Sequence, residues 1–415
     1  MSAATSTPML RFPSFKEDWA ENTLEAISEK VTSGSRDWAQ YYSEQGALFV
    51  RMTNLPKTGI DLLLNDLKFV DLPKSGSEGE RTALKPNDIL ISITAELGKI
   101  GLIPEDIGEA YINQHTALVR PRSDTVSPHF VAQYLAAFKS NKRLNRLNDS
   151  GAKSGLNLST VKGFRIKLPS LAEQMKIADF LGAVDRKLAA LREKEAALTR
   201  FKRGLMQALF SQTLRFKRDD GSSYPDWEEK RLGDVFEEVT EKVGDSDLPT
   251  YSISAGKGWV SQKEKFGKDI SGDQNERYTA LGVGEFSYNK GNSKSYKYGC
   301  IYPNDTNEVI AVPNVFISFR RITEETSIGF YAKLFESHHL DRGLRRLISS
   351  GARMDGLLNV NKGQFFKLKV PAPLPEEQQK ISNALSAMDA KIAAVSNQIT
   401  KLDAFKKGLL QQMFV

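Results

Sequence analysis

The sequence predicts an α+β protein made of two copies of one large unit, and each copy ends in a long helix. Residues 169–210 align without a gap on residues 373–414, at a constant separation of 204 positions. Self-similarity at a period near half the chain length indicates duplication of a whole unit, so we expect two pseudo-symmetric halves. The duplicated segment has helical spacing, whereas alternating apolar runs such as D-I-L-I-S-I-T are typical of strands.

The repeat extends upstream of the two helices. Trp19 in the opening segment matches Trp227, and the sequence S-G-A recurs ahead of each helix. By contrast, residues 43–121 and 245–320 show no convincing alignment. We therefore expect a duplicated frame that carries two diverged middle regions.

These boundaries divide the chain into globular and helical segments. Within the globular domains we expect mainly β structure, finished by helices near residues 128–147 and 328–348. The four segments are a first globular domain at 1–168, a first long helix at 169–212, a second globular domain at 213–372 and a second long helix at 373–415.

Both long helices carry a heptad seam. Alternating steps of four and three residues from Ile177 and from Ile381 reach apolar side chains at almost every position, and each seam is interrupted by a lysine, Lys202 or Lys406. A seam of this length is typical of coiled-coil packing. Because the repeated helix offers the only other seam of matching length, we expect the two helices to pair. The alternative is that each is an ordinary core helix of its own domain.

Composition and motifs exclude several classes of protein. No apolar run approaches the roughly 20 residues that a membrane-spanning helix needs, and no signal-peptide pattern opens the chain. The single cysteine, Cys300, rules out an internal disulfide and fits the reducing cytoplasm, where we expect the protein to act. No metal site is expected, since the histidines have no second cysteine at ligand spacing. P-loop, H-E-x-x-H and G-x-S-x-G motifs are missing, which favours a non-catalytic protein.

Two loops in the diverged regions have the composition of a DNA-reading surface. The net charge of +7 is only mildly basic, but these loops combine amines for phosphates with amides and hydroxyls for base edges. The alternative for either loop is a solvated hairpin tip. The candidate DNA-binding residues are Ser33, Ser35, Arg36, Gln40, Tyr42, Arg51, Tyr288, Lys290, Asn292, Lys294, Tyr296 and Lys297.

A series of motifs runs through the whole chain. Each half opens with [FY]-P-x(1,2)-[FW], and the first variable region contains K-P-N-D-I-L-I-S-I-T and I-N-Q-H-T-A-L-V-R-P. The first long helix starts in L-P-S-L-A-E-Q-M-K-I, which recurs as A-P-L-P-E-E-Q-Q-K-I with Pro375 in place of Leu171. This arrangement resembles the specificity (S) subunits of type I restriction-modification enzymes.

The resemblance implies an architecture and a set of partners. Two target recognition domains would lie at opposite ends of an antiparallel coiled coil, each reading one half of a split, asymmetric site in double-stranded DNA. The coil would set the spacer between the half-sites. Two modification (methyltransferase) subunits would dock on the duplicated frame, and restriction/translocase subunits would complete the nuclease. S-adenosylmethionine, ATP and Mg²⁺ would belong to these partners, and this chain would bind no cofactor.

Several polar residues are repeated although a helix seam does not require them. With the resemblance, we expect these residues to form two equivalent docking sites for the methyltransferase subunits. The alternative is that they cap and solubilise the helices. They are Glu173, Gln174, Glu377, Gln378, Lys202 and Lys406.

Two other functions fit the residues when the resemblance is set aside. One is a stand-alone DNA-binding regulatory or structural protein, which would not co-purify with methyltransferase subunits. The other is an enzyme whose site is assembled from scattered carboxylates such as Glu96, Asp106 and Glu109. Such an enzyme would cleave DNA by itself in the presence of Mg²⁺.

Overall fold

The structure is a computed structural model, and it describes residues 7–73, 79–148, 155–262, 276–291, 296–348 and 358–414. The chain packs as two compact units, each described by itself below. Unit 1 comprises residues 1–193 and 396–415, and unit 2 comprises residues 194–395. The repeated S-G-A sequences at 150–152 and 350–352 lie outside the described residues.

Unit 1 is a small α+β globule followed by helix. Its strands are β1 (Ala20–Thr23), β2 (Ser28–Ser33), β3 (Tyr42–Ser43), β4 (Ala47–Val50), β5 (Phe69–Val70), β6 (Ile89–Ser92), β7 (Ile100–Leu102), β8 (Ala110–Ile112), β9 (Thr116–Pro121) and β10 (Arg165–Leu168). Its shorter helices are α1 (Pro128–Ala136), α2 (Phe138–Arg146) and α3 (Leu158–Lys162), and the long helix α4 (Leu171–Phe210) begins in this unit.

The described part of unit 2 likewise has ten strands and ends in a long helix. Its strands are β11 (Glu228–Arg231), β12 (Phe236–Glu238), β13 (Tyr251–Ser254), β14 (Gly258–Ser261), β15 (Thr279–Leu281), β16 (Phe286–Asn289), β17 (Cys300–Pro303), β18 (Ile310–Val312), β19 (Ile317–Arg321) and β20 (Lys369–Ala372). Its helices are α5 (Leu232–Val235), α6 (Ile328–Glu336), α7 (Asp341–Leu347), α8 (Lys362–Phe365) and α9 (Pro375–Met413), of which α9 ends in unit 1.

The central sheet is duplicated even where the sequence is not. In unit 1 the antiparallel order is β2-β9-β6-β7, and in unit 2 it is β12-β19-β16-β17. A two-stranded pairing of the first and last strands, β1 with β10 and β11 with β20, recurs as well. The expected duplication of the frame is confirmed, and it reaches into the middle regions. The remaining small sheets differ, since β4 pairs with β8 in parallel whereas β15 pairs with β18 antiparallel.

Buried apolar side chains stabilise the central sheet of each unit. All four residues of β6 are buried, because helix α1 and the surrounding strands cover the sheet. In unit 2, Phe236 lies edge-on to Phe286, Phe319 and Tyr331, with ring centroids 5.0–5.5 Å apart. Such aromatic contacts add to the area buried in the core. The helices expected near residues 128–147 and 328–348 are present as the pairs α1/α2 and α6/α7.

In each unit, a segment of α4 packs antiparallel to a segment of α9. In unit 1, Asp185 pairs with Lys406 and Arg192 pairs with Asp403, so later residues of α4 meet earlier residues of α9. Ile177, Leu181 and Leu188 share a buried cluster there with Leu409 and Met413. In unit 2, Met206 and Leu209 share a buried cluster with Ile381 and Leu385. The predicted pairing along the heptad seam is therefore confirmed within both units.

Candidate nucleic-acid interface

Three segments of unit 1 meet at one edge of its central sheet. Strand β2 ends where Ser33 pairs with Ala117, and β6 ends where Ser92 pairs with Thr116. Segments 34–41, 93–99 and 113–115 therefore lie side by side, because each adjoins a strand end at this edge. We call this edge the loop edge of unit 1.

Unit 2 has an equivalent loop edge. Tyr288, near the end of β16, pairs with Ile317 at the start of β19. The loop edge of unit 2 therefore carries segments 239–250 and 313–316, together with residues 290–291 and 296–299. The backbone N–H of Leu358 donates to the carbonyl of Lys290, as that of Leu156 donates to Ile93 in unit 1.

The first predicted DNA-binding loop lies on the loop edge of unit 1. Gly34 packs so tightly on Asn113 that an added Cβ would lie 2.1 Å from the Asn113 carbonyl atoms, so only glycine fits there. Arg36 and Gln40 are exposed, and so is Tyr42 beyond the loop. The candidates Ser33 and Ser35 are held by the side chain of an arginine that is not among the predicted DNA-binding residues.

That arginine is Arg81, whose side chain holds the loop by hydrogen bonds made at the protein surface. Its guanidinium donates to the Thr32 hydroxyl, the Ser33 carbonyl and the Ser35 hydroxyl at 2.7–3.0 Å. Arg81 is itself exposed. In the sequence, Arg81 is an isolated arginine at the end of the polar stretch S-G-S-E-G-E-R. Nothing in that pattern predicts a contact with Ser35, 46 residues upstream.

Arg51, whose contact with DNA stays a prediction, also makes internal hydrogen bonds. Its guanidinium donates to the side chain and the carbonyl of Asp66, both at 2.9 Å. Asn54 donates to the same carbonyl. Arg51 therefore holds the segment around Asp66, and its guanidinium is already engaged in the free chain.

The second predicted loop adjoins the loop edge of unit 2, but Tyr288 is misassigned. It is fully buried, its ring stacks on Phe365 at 5.0 Å, and its hydroxyl donates to the Tyr298 carbonyl. Burial raises the pKa of Tyr288 far above its usual value. The interpretation of Tyr288 as a surface residue is wrong, because β16 is covered on both faces and its F-S-Y-N sequence shows no alternation.

The other residues of this second loop are distributed as follows. Lys290 is half-buried, Tyr296 packs against the His338 ring at 5.1 Å, and Lys297 is exposed. Asn292 and Lys294 lie outside the described residues. Direct DNA contact by these side chains stays a prediction.

The predicted docking residues Glu173 and Glu377 are buried, each only 1% exposed. Both carboxylate oxygens of Glu173 accept from Arg11, and those of Glu377 accept from Arg215. Hydrogen bonding to the carboxylate raises the pKa of Arg11 and of Arg215. These ion pairs tie the start of each long helix to the segment that precedes the first strand of the same unit.

Gln174 and Gln378 are buried in the same way. Each accepts from the backbone N–H of a helix-capping serine, Ser127 or Ser327, and donates to a proline carbonyl five residues earlier. The two seam lysines are also buried, Lys406 against Asp185 and Lys202 against Asp389. All six repeated residues are therefore buried, and their internal bonds already explain why both copies keep them. Their docking role stays a prediction.

Other chemistry finds little support in the described part of the chain. No group of three His, Cys, Asp or Glu side chains there could hold a metal ion. Glu96 pairs with Lys99, and Glu109 accepts from the Tyr111 hydroxyl at 2.7 Å. Within the same residues, none of the helices combines the length and apolar character of a membrane span.

The fold and the two loop edges define an internally duplicated α+β protein with diverged loops at equivalent positions. Residues 63–200 and 224–404 match the family described as type I restriction modification DNA specificity domain. Because these matches cover well over half of the chain, the chain belongs to this family.

Individual relatives agree with this assignment. A protein of Methanocaldococcus jannaschii, provisionally named the type I restriction enzyme MjaX specificity subunit, is 24% identical over 95% of this chain and 92% of its own. The EcoBI specificity subunit of Escherichia coli is 27% identical over 39% of this chain and 34% of its own. The crystal structure of the S subunit of a type I restriction-modification system from M. genitalium has the same fold, with a TM-score of 0.60, 14% identity and 99% coverage of both chains.

Proposed function

We propose that this chain is the DNA sequence-specificity subunit of a type I restriction-modification complex. Each unit reads one half of a bipartite, asymmetric site, and the paired helices set the spacer between the halves. The observation that carries this proposal is the pair of equivalent loop edges. The same four-stranded sheet presents segments of unrelated sequence at the same edge in both units.

The proposed chemistry is recognition without catalysis. Exposed side chains such as Arg36, Gln40 and Lys297 supply phosphate and base-edge contacts. Methyl transfer, ATP hydrolysis and cleavage belong to partner subunits, namely two methyltransferase subunits and the restriction/translocase subunits. S-adenosylmethionine, ATP and Mg²⁺ are bound by those partners.

A segment exchange tests the division of labour between the two units. Residues 35–150 are replaced by the corresponding region of a relative, and methylated adenines are mapped across the host genome. One half of the methylated site should change, while the other half and the spacer stay as in wild type. A simultaneous change in both halves would refute modular reading. A methylation pattern independent of this chain would favour the stand-alone DNA-binding protein.

Methyltransferase docking is better assigned to exposed repeated residues than to the buried ones. Phe201 and Phe405 are identical in the two copies, and their side chains are 61% and 53% exposed. One turn further on, a Cβ on Gly204 or Gly408 would meet nothing within 4 Å. A glycine inside a helix costs about 1 kcal/mol relative to alanine. Since both phenylalanines are largely exposed and no described neighbour requires glycine at 204 or 408, we assign the repeated F-x-x-G faces to the partner subunits.

Paired substitutions test this docking surface. Phe201→Ser with Phe405→Ser should abolish co-purification of the methyltransferase subunits without lowering the melting temperature, because both rings are exposed in the free chain. Phe138→Ser is the matched control, since Phe138 is 65% exposed on α2 and is not repeated. Undiminished assembly of the double variant would remove these faces from the interface.

A further inference from the structure

The strongest unexplained surface is a row of cations beside each loop edge. In unit 1, Lys142 and Arg146 are exposed and stand one turn apart on α2. In unit 2, Arg342 and Arg346 occupy the matching positions of α7, 200 residues later. Positive charge is kept in both copies although Lys142 is replaced by Arg342. We call these two pairs the cation rows.

The helix of unit 1 holds its cation row against the loop edge. Asn141 on α2 donates to the Gly98 carbonyl in segment 93–99. Asn145 lies one turn further along the same face. A Cβ added to Gly98 would lie 3.0 Å from the side-chain atoms of Asn145, so this residue also lies against the loop. Lys142 and Arg146 directly follow these two asparagines, so their row borders the row that touches the loop.

Unit 2 repeats this arrangement with different residues. Leu340, Asp341 and Leu344 line one small cavity together with Tyr296, which precedes β17 on the loop edge. Arg342 directly follows Asp341, just as Lys142 follows Asn141. The cation row of α7 therefore borders the loop edge of unit 2.

Within the described ranges, the four cations have no ion-pair partner that would explain why both copies keep them. Among the described residues, none of the four forms an ion pair, although the ammonium of Lys142 lies 5.6 Å from the Phe138 ring centroid. Cations near a helix C-terminus stabilise the helix dipole, which accounts for Arg146 and Arg346. The same effect disfavours Arg342, which is the second residue of its helix.

We propose that the two cation rows bind the DNA sugar-phosphate backbone, one on each half-site, and thereby press each loop edge into the groove. The inference rests on the proposed function and adds a non-sequence-specific anchor to it. Phosphate contacts of this kind fix the position of a reader on the duplex without contributing to base choice.

Salt-dependent binding tests the anchor. The full chain, assembled with its modification subunits, is titrated with a duplex carrying the genomically mapped site and with a scrambled duplex, at several salt concentrations. For Lys142→Gln with Arg146→Gln, the slope of log K against log salt should become shallower by about 2, since each lost phosphate contact removes about 0.9. Affinity for both duplexes should fall by similar factors, and the methylated sequence should be unchanged. Arg342→Gln with Arg346→Gln should behave in the same way.

The matched control removes two charges from the opposite edge of the same sheet. Lys85 precedes β6, Arg122 follows β9, and both are exposed. Lys85→Gln with Arg122→Gln should leave the slope as in wild type. An equal slope change in this control, an unchanged slope in the cation-row variants, or an altered methylated sequence would each overturn the anchor. A wild-type complex that does not prefer the mapped site would instead overturn the proposed function, and the anchor with it.

Discussion

Two ion pairs occupy equivalent places in the heptad seam, yet we predict that removing the lysine of each pair costs a different free energy of unfolding. Lys406 pairs with Asp185 in unit 1, with side chains 10% and 16% exposed. Lys202 pairs with Asp389 in unit 2. The difference lies in the neighbours: a neutral amide, that of Gln133, also donates to Asp185, whereas a second cation, Lys333, also bonds Asp389.

Replacing each lysine by methionine exposes this difference. Lys406→Met leaves Asp185 as a largely buried carboxylate without a cation, and breaking such a pair costs about 3 kcal/mol. Lys202→Met leaves Asp389 paired with Lys333, so the expected loss is about 1 kcal/mol or less, as for a partly exposed ion pair. Adding Asp185→Asn to Lys406→Met removes the unpaired charge and keeps an acceptor for Gln133. This double variant should recover most of the loss.

Native-state hydrogen exchange measures the two units separately. Opening free energies of amides in residues 177–188 report on unit 1, and those in residues 381–389 report on unit 2. Equal losses for the two lysine variants would refute the reasoning, because it depends on Lys333. So would a double variant no more stable than Lys406→Met alone, because the unpaired carboxylate would then not be the cause.

Two further predictions concern the repeated helices. Gln174→Ala leaves the Ser127 N–H and the Pro169 carbonyl without partners. The free energy of unfolding of the free chain, measured in urea, should therefore fall by about 1–3 kcal/mol. A variant as stable as wild type but unable to bind methyltransferase subunits would restore Gln174 as a docking residue. Inserting one heptad between Arg192 and Arg200, with a matching heptad after Val395, keeps the seam in phase and lengthens each helix by about 10 Å. The spacer should then grow by about three base pairs, given a rise of roughly 3.4 Å per base pair. An unchanged spacer in DNA-protection assays of the folded complex would refute the proposal that the paired helices set the spacer.

Periodic features of the sequence predicted the periodic parts of the structure. The heptad seams identified both long helices and their pairing, because apolar spacing depends only on the local chain. The buried lysines in those seams were noticed, but their partners were not, since Asp389 lies 187 residues from Lys202. A sequence shows that a polar residue recurs, but its exposure depends on partners brought together by the fold.

The candidate site was predicted less completely for the same reason. The combination of amine, amide and hydroxyl side chains indicated segment 34–41 and a second segment, of which residues 290–291 and 296–299 lie at the equivalent sheet edge. It did not separate Tyr288, whose ring is in the core, from its exposed neighbours. Arg81 and the cation rows were missed because their significance comes from strand order, which alternation of apolar residues does not determine.

The ion pairs Arg11–Glu173 and Arg215–Glu377 have a consequence for how new specificities arise. Together with the pairing of β1 with β10 and of β11 with β20, they bring the two ends of each globule to one place. A gene fragment exchanged between relatives at these points would encode both partners of the strand pairing and of the ion pair that close the globule. The incoming globule would need to match only a short, repeated junction. Under the proposed function, a single recombination event would therefore change one half-site without compensating substitutions elsewhere in the gene.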